Sequence, residues 1–372
     1  MRIERLELRL LKLPLVHFFE TSFGRIDDKH FILVRVDGDG VSGYGECVAE
    51  VDPYYSSETN HTCWHIITDF IAPRVVGADF VHPRDVFPAL KAIRGHNMAK
   101  AAVEMAAWDL HAKQRGEPLA RTLGGTRDRI ESGVSVGIQS SLDDLVARVE
   151  RELAAGYRRI KIKVKPGWDV DAVEILRARF GGIPMMVDAN AAYSIEDADH
   201  LVKLDAYDLM MIEQPLDYDD VADHAALQRR LRTPICLDES IKTVGIAGEA
   251  IAAGACRIIN IKPGRVGGFA ESVRLHDLCA SRNVPVWHGG MLESGIGRAA
   301  NIHLSTLPNF ALPGDIAASR RYFDPDLIEP PIEVAADGTI AVPTAPGIGV
   351  TIREDRVARA TLKHAVLEGV RA

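Results

Sequence analysis

The chain has 372 residues, room for two or three domains or for one large barrel with an accessory domain. With 47% hydrophobic and 26% charged residues it has the balance of a folded globular protein, and it is no small stapled scaffold. Its net charge of −8, with no basic run beyond Arg158–Arg159 followed by Lys161, Lys163 and Lys165, argues against a nucleic-acid partner. The opening MRIERLELRLLKLPL sets Glu4 and Glu7 among its leucines, which breaks a signal-peptide core, and nowhere do 18 consecutive apolar residues occur. A cytoplasmic protein with no membrane partner is expected. Cys47, Cys63, Cys236, Cys256 and Cys279 are scattered without CxxC spacing, which predicts small buried thiols and neither a disulfide framework nor a thiolate zinc site.

The first elements read as strands. Leu6, Leu8 and Leu10 alternate with Glu7 and Arg9, and FILVRV at Phe31–Val36 runs into Asp37-Gly38-Asp39-Gly40 ahead of VSGYGECV, the pattern of a tight hairpin. From about residue 60 to 125 the pattern turns helical, with Ala101, Ala102, Met105, Ala106, Trp108 and Leu110 in an alanine-rich stretch that Leu123-Gly124-Gly125 ends. Residues 1–128 are therefore expected to form an α+β unit.

Residues 129–320 read as strand–helix repetition. Eight short β-rich runs (VSVGI, RIKIKV, PMMVDAN, LMMIEQPL, PICLDES, RIINIKPG, VPVWHGG and NFALPGD) are separated by helical stretches such as DDLVARVERELAAG. From Lys163 it is 25 residues to Asp188, 25 more to Glu213, 25 more to Asp238 and 24 to Lys262, about one strand and one helix per step. Eight parallel strands avoid exposed edges by closing, which predicts an α/β protein with a (β/α)8 TIM-type barrel. Residues 321–372 combine prolines (Pro325, Pro330, Pro331, Pro343, Pro346) with a charged helix predicted near Asp355–Leu367, and are expected to return to the N-terminal unit.

In such a barrel the C-terminal ends of the strands carry the chemistry. Asp188 follows Met185-Met186-Val187, Glu213 follows Leu209-Met210-Met211-Ile212 and Asp238 follows Ile235-Cys236-Leu237, so three carboxylates from consecutive strands are predicted at one mouth. Singly, each acid could equally cap a helix or face solvent; their matched spacing favours a shared site. Converging carboxylates repel unless neutralised, and oxygen donors without His or Cys suit Mg2+, or Mn2+, better than Zn2+. Lys161 and Lys163 share one face of their strand, and the same parity groups Asn260 with Lys262. Such lysines either pair with the carboxylates as structural salt bridges or, partly desolvated, act as bases near neutral pH. Lysines on opposite faces of a metal-bound substrate suit removal of a proton α to a carboxylate, the cations stabilising the enediolate.

KIK at Lys161–Lys163, DAN at Asp188–Asn190, EQP at Glu213–Pro215, DES at Asp238–Ser240 and NIKPGRVGG at Asn260–Gly268 resemble, in this order, the strand-end motifs of the enolase superfamily in its muconate-lactonizing subgroup. PGWD at Pro166–Asp169, GGMLESGIGRAAN at Gly289–Asn301 and LPGD at Leu312–Asp315 resemble the o-succinylbenzoate synthase / N-succinylamino acid racemase family within it. The resemblance implies a modified, enolase-like barrel under an α+β capping domain. It makes Asp188, Glu213 and Asp238 the Mg2+ ligands and Lys163 and Lys262 the acid/base pair. Lys161 would orient the substrate carboxylate and lower the proton affinity of Lys163, with Asn190 and Glu239 as supporting groups, Asn190 within reach of the substrate.

Loops near Phe19–Gly24 and Asp52–Tyr55 would close over the mouth. Phe19, Phe23, Tyr54 and Tyr55 would line an apolar pocket or pack the cap onto the barrel, and Gly290 and Met291 would shape the side-chain pocket. Glu293 reads as a structural acid. Lys165 stands where the family commonly has an acidic or neutral residue and is expected to alter the field at the mouth, and His288 reads as a substrate contact or a packed histidine. A small-molecule carboxylate substrate and a homo-oligomer are implied. The implied reactions are a syn dehydration in menaquinone biosynthesis, a racemisation of N-acylated amino acids, or both. Dipeptide epimerase and muconate-type cycloisomerase share the lysines and metal; Asp315-Ile316-Ala317 lacks the second acid an epimerase uses to hold an ammonium. A reading of another class is a Schiff-base aldolase with Lys163 or Lys262 as nucleophile.

Overall fold

The computed structural model describes residues 1–369, so the last three residues of the expected 321–372 segment lie outside the described residues. A two-residue turn at Asp39-Gly40, with φ of 52° and 73°, folds the strand Arg25–Gly38 back onto Val41–Cys47. Asp-Gly supplies the short polar side chain and the missing Cβ that this left-handed pair requires. Arg5–Glu20 pairs antiparallel on the other side of Arg25–Gly38. One face of this sheet buries Leu6, Leu8, Ile32, Val34 and Val36 against Val103, Ala106 and Leu110 of the long helix Asn97–Gln114.

The chain's end differs from its sequence pattern. The helix predicted near Asp355–Leu367 is confined to Glu354–Ala360, and Thr361–Glu368 is a strand. That strand pairs antiparallel with Arg5–Leu11 and completes a four-stranded sheet. The open backbone groups of the Arg5–Leu11 edge outweigh the local helical spacing, as tertiary pairing commonly does for a short segment.

Seven parallel strands stand in sequential order: Gly133–Val136, Arg159–Lys163, Met185–Asp188, Ile212–Glu213, Ile235–Leu237, Ile258–Ile261 and Val286–His288. The eighth run forms isolated bridges instead of a regular strand. Phe310 bridges Val286 on one edge and Gly314 bridges Ser132 on the other, so the run still links the two ends of the sheet. Pro313, which has no N–H to donate, interrupts regular pairing there. Inside the barrel Met186, Met211, Cys236, Ile258 and Trp287 form a small apolar plug, and the polar residues of the same strands lie above it.

Two carboxylates tie the N-terminal unit to barrel helices. Glu104 accepts from the backbone N–H groups of Phe269 (2.7 Å) and Ala270 (2.9 Å), opening the helix Phe269–Ser281. Glu46 accepts from Ser294 N (3.0 Å) and Gly297 N (3.2 Å) at the start of Gly295–Leu304. Each satisfies donors that a helix N-terminus leaves open. Among the described residues no helix is long and apolar enough to cross a membrane, and all five cysteines are buried and free.

Candidate active site

The register of the barrel builds the site. Lys163 is level with Asp188 and Asp188 with Glu213 on three adjacent strands. Asp238 and Lys262 are the first residues after Ile235–Leu237 and Ile258–Ile261. All five side chains are buried. Lys163 Nζ donates to Asp188 Oδ2 (2.6 Å) and Asn190 Oδ1 (2.7 Å), and Asn190 Nδ2 donates to Glu239 Oε1 (2.8 Å). Lys262 Nζ donates to Asp238 Oδ2 (2.7 Å) and to Tyr55 OH (3.1 Å). Lys161 Nζ lies among Asp188 (3.1 Å), Glu213 (3.0 Å) and Asp315 (2.5 Å).

These contacts set the two outer lysines apart. Burial, reinforced by the charge of Lys161, pushes the Lys163 pKa below the ordinary lysine value despite Asp188. Burial acts the same way on Lys262, but Tyr55, Glu213 and Glu239 outweigh it and hold its ammonium charged. Lys161 is likewise raised, burial being overcome by Asp315, Glu213 and Asp188. Against its burial, Arg159 and Lys161 draw Asp315 down to about 2.

Backbone strain collects at the same strand ends. Asn190, Ala191, Gln214 and Leu292 are non-glycine residues with φ of 45°, 61°, 38° and 56°. Gln214 earns this geometry by its side chain: Oε1 accepts from Asp238 N (3.0 Å) and Ser240 N (3.2 Å), which fixes the backbone that presents Asp238. At Gly289 a Cβ would stand 2.6 Å from Lys262 Cε, so a glycine is needed for the loop to pass.

Above the lysines lies a cavity of about 160 Å³ between the two domains. Lys163, Lys262, Asn190, Phe19, Phe23, Tyr54, Tyr55, Gly290 and Met291 all line it. Glu239 sits below, and its Oε2 is buried without a hydrogen-bond partner. The oxygen-only acidic set and this orphaned acceptor fit a hard divalent cation. As the side chains stand, lysine ammonium groups occupy the gaps between the acids, and no three acidic, His or Cys side chains among the described residues are grouped to enclose a metal.

Comparison with known proteins decides the lineage. Residues 144–356 match the family model "Enolase C-terminal domain-like", and residues 7–124 match "Mandelate racemase / muconate lactonizing enzyme, N-terminal domain". An o-succinylbenzoate synthase of Geobacillus kaustophilus is 55% identical over 360 residues, 96% of each chain. An N-succinylamino acid racemase of Thermus thermophilus is 48% identical over 362 residues, 97% of this chain and 98% of that one. The chain belongs to the enolase superfamily, in the family of these two enzymes. A crystal structure of an enolase-superfamily member from Listeria innocua superposes with a TM-score of 0.95 at 39% identity, covering 99% of both chains.

Sequence reading of this superfamily member left several residues unassigned. Asp315 of the eighth run bridges Lys161 and Arg159 (2.6 Å), and Trp287 lies beneath both cations with its ring 4.9 Å from Lys161 and 5.2 Å from Arg159. Arg265 pairs with Asp238 from below, and Asn260 Nδ2 donates to Glu213 Oε1 (2.6 Å). Tyr55 is more than a pocket wall, since its hydroxyl also donates to Asp238 (3.2 Å). Strand parity, which already grouped Asn260 with Lys262, could also have flagged Arg159, which shares a face with Lys161 and Lys163; Asp315 sits on an irregular run that offers no parity.

The two open positions resolve by direction. His288 is a packed histidine: it points outward from the barrel beside Phe310 (6.3 Å between rings), is absent from the mouth cavity, and burial lowers its pKa to about 4. Lys165 lies past its strand, bridged to Trp168, with Glu20 3.9 Å away. Glu293 accepts from Met291 N (2.9 Å) and Asn301 Nδ2 (2.9 Å), which shapes the loop carrying Gly290 and Met291.

Proposed function

We propose that this chain removes a proton α to a carboxylate, as an o-succinylbenzoate synthase, an N-succinylamino acid racemase, or both. The observation that carries this reading is that Lys163 and Lys262, from strands on opposite sides of Asp188, Glu213 and Asp238, reach one cavity. Relatives at 55% and 48% identity bear each of the two names. Asp188, Glu213 and Asp238 would hold Mg2+, or Mn2+, which when bound supplies positive charge against the substrate carboxylate as its α-carbon loses a proton.

Lys163 takes the α-proton, and Lys262 on the opposite flank faces the enediolate with its ammonium. In the dehydration Lys163 then gives that proton to the departing β-hydroxyl on the same face, and water leaves. In the racemisation Lys262 returns a proton to the opposite face of the α-carbon. Lys161 and Asn190 keep Lys163 aimed, and Tyr55 does the same for Lys262. Phe19 and Met291 cover the cavity and exclude water.

The synthase reaction would serve menaquinone biosynthesis, and the five free thiols support a reducing, cytoplasmic setting. The test is kcat/KM with Mg2+ for both reactions on one preparation, with α-proton exchange followed in deuterium oxide. Exchange that needs Lys163 supports the reading; substrate trapped by borohydride, with activity surviving EDTA, would replace it with Schiff-base chemistry.

A further inference from the structure

A second cavity, of about 240 Å³, shares no lining residue with the one at the mouth. Its walls come from three places: the helix Leu142–Ala154, the segment that follows the eighth run, and the first strand of the cap. Arg148, Arg151, Arg320, Arg321 and His17 line it, and the acid in its wall is Glu152.

The charges around it are unbalanced. Arg148 Nε pairs with Glu152 Oε1 at 2.7 Å, and Arg321 Nε stands 3.1 Å from the same oxygen but is buried without an aligned hydrogen bond. Arg321 Nη2 takes the carbonyl of Ser135 (3.2 Å). Arg320 has Glu333 at 3.8 Å, at an exposed rim. Arg148 and Arg321 thus share one carboxylate oxygen of Glu152, Arg151 and Arg320 add two more guanidinium groups to the lining, and burial together with Arg321 pushes Arg148 below the ordinary arginine range. Crowded cations around a hollow are costly unless a counter-charge joins them, and guanidinium forks match tetrahedral and planar oxyanions.

We propose that this cavity binds a small oxyanion of the phosphate or dicarboxylate class, and that its occupant fastens the first strand of the cap to the barrel. The position gives that fastening a consequence. Val16 N donates to Tyr322 O (2.9 Å), next to Arg321, and Phe19, two residues beyond His17, covers the substrate cavity with its ring 5.9 Å from Lys163.

Calorimetric titration of the full chain with inorganic phosphate, and separately with succinate, tests it at ionic strength held constant with sodium chloride. One saturable site per chain is expected, with a raised Tm on binding. The exposed pair Arg151→Gln/Arg320→Gln should weaken it roughly tenfold or more, while turnover without added anion stays at the parent value. Arg151→Gln alone serves if the double variant misfolds. Succinate binding in place of phosphate would assign the dicarboxylate class to the same site. Failure of both anions to saturate below about 10 mM, or saturation at the mouth that persists in the variants, overturns the proposal.

Discussion

The two halves of the mouth are built differently. On the Lys262 side the cap is fixed: Tyr55 hydrogen-bonds the lysine, Gly289 lets the loop pass against its stem, and Glu46 and Glu104 cap two barrel helices from the other domain. On the Lys163 side the cover is Phe19 and the Thr21–Gly24 turn, where Ser22 Oγ reaches Asn190 O at 3.4 Å and Phe23 is 39% exposed. One half is assembled to hold an ammonium in place; the other is tied to the barrel through Glu20 O, which accepts from Ile138 N (3.0 Å), and beyond that tie the exposed Thr21–Gly24 turn is suited to opening. A site that must admit a substrate and then exclude water needs one wall that stays and one that moves.

The largest expected effects separate the lysines. Lys163→Ala should lower kcat/KM roughly thousandfold or more for both reactions and abolish α-proton exchange, with the circular dichroism spectrum unchanged. Lys262→Ala should abolish racemisation as completely but leave part of the dehydration, where its charge stabilises without moving a proton. Equal residual dehydration in the two variants would erase the distinction between the halves. Gly289→Ala comes next. The added methyl first meets the Asn260 amide that holds Glu213 and then the Lys262 stem, and displacing both should cost roughly a hundredfold in kcat with little change in KM.

Much of this layout is legible in the amino-acid sequence alone. Equal spacing of Lys163, Asp188, Glu213, Asp238 and Lys262 places them at successive strand ends, because a strand and a helix consume a nearly constant length. The Asp39-Gly40 turn was legible for a local reason, the conformation only such residues take easily. What escaped depends on partners far along the chain. Thr361–Glu368 is a strand because Arg5–Leu11 offers it an edge some 350 positions away. Asp315 acts through Lys161 and Arg159, and nothing in LPGD announces which cations it will meet.

Acid should act on the fixed half through its helix Gly295–Leu304. His303 Nδ1 accepts from Ala120 N (3.1 Å), which requires a neutral ring, and burial lowers its pKa from 6.5 to about 4. His288, also buried, is lowered to about 4 as well. The sign follows from the unfolded chain binding protons first. Stability is fully present above pH 6.5 and is lost as the pH falls toward 4, by roughly 3 kcal/mol for each ring. His303→Gln retains an acceptor for Ala120 without titrating, so it should remove about half of that loss. Urea unfolding at pH 7 and pH 4.5 measures it, and an unchanged pH slope in the variant would show that the histidine is not what acid attacks.

The smallest effect should fall on the open half. Phe23 lines the cavity from its exposed rim and touches neither Lys163 nor Lys262 by hydrogen bond or ring contact. Truncating Phe23 to Ala removes apolar cover that the substrate meets equally in its bound ground state and in its transition state. KM should therefore rise roughly fivefold with kcat nearly constant. Tyr55→Phe makes the contrast, since it deletes the hydroxyl on Lys262 and Asp238 and should lower kcat instead. A fall in kcat for Phe23→Ala would mean that the open wall also positions the reacting lysine, and the two halves would then differ in mobility but not in task.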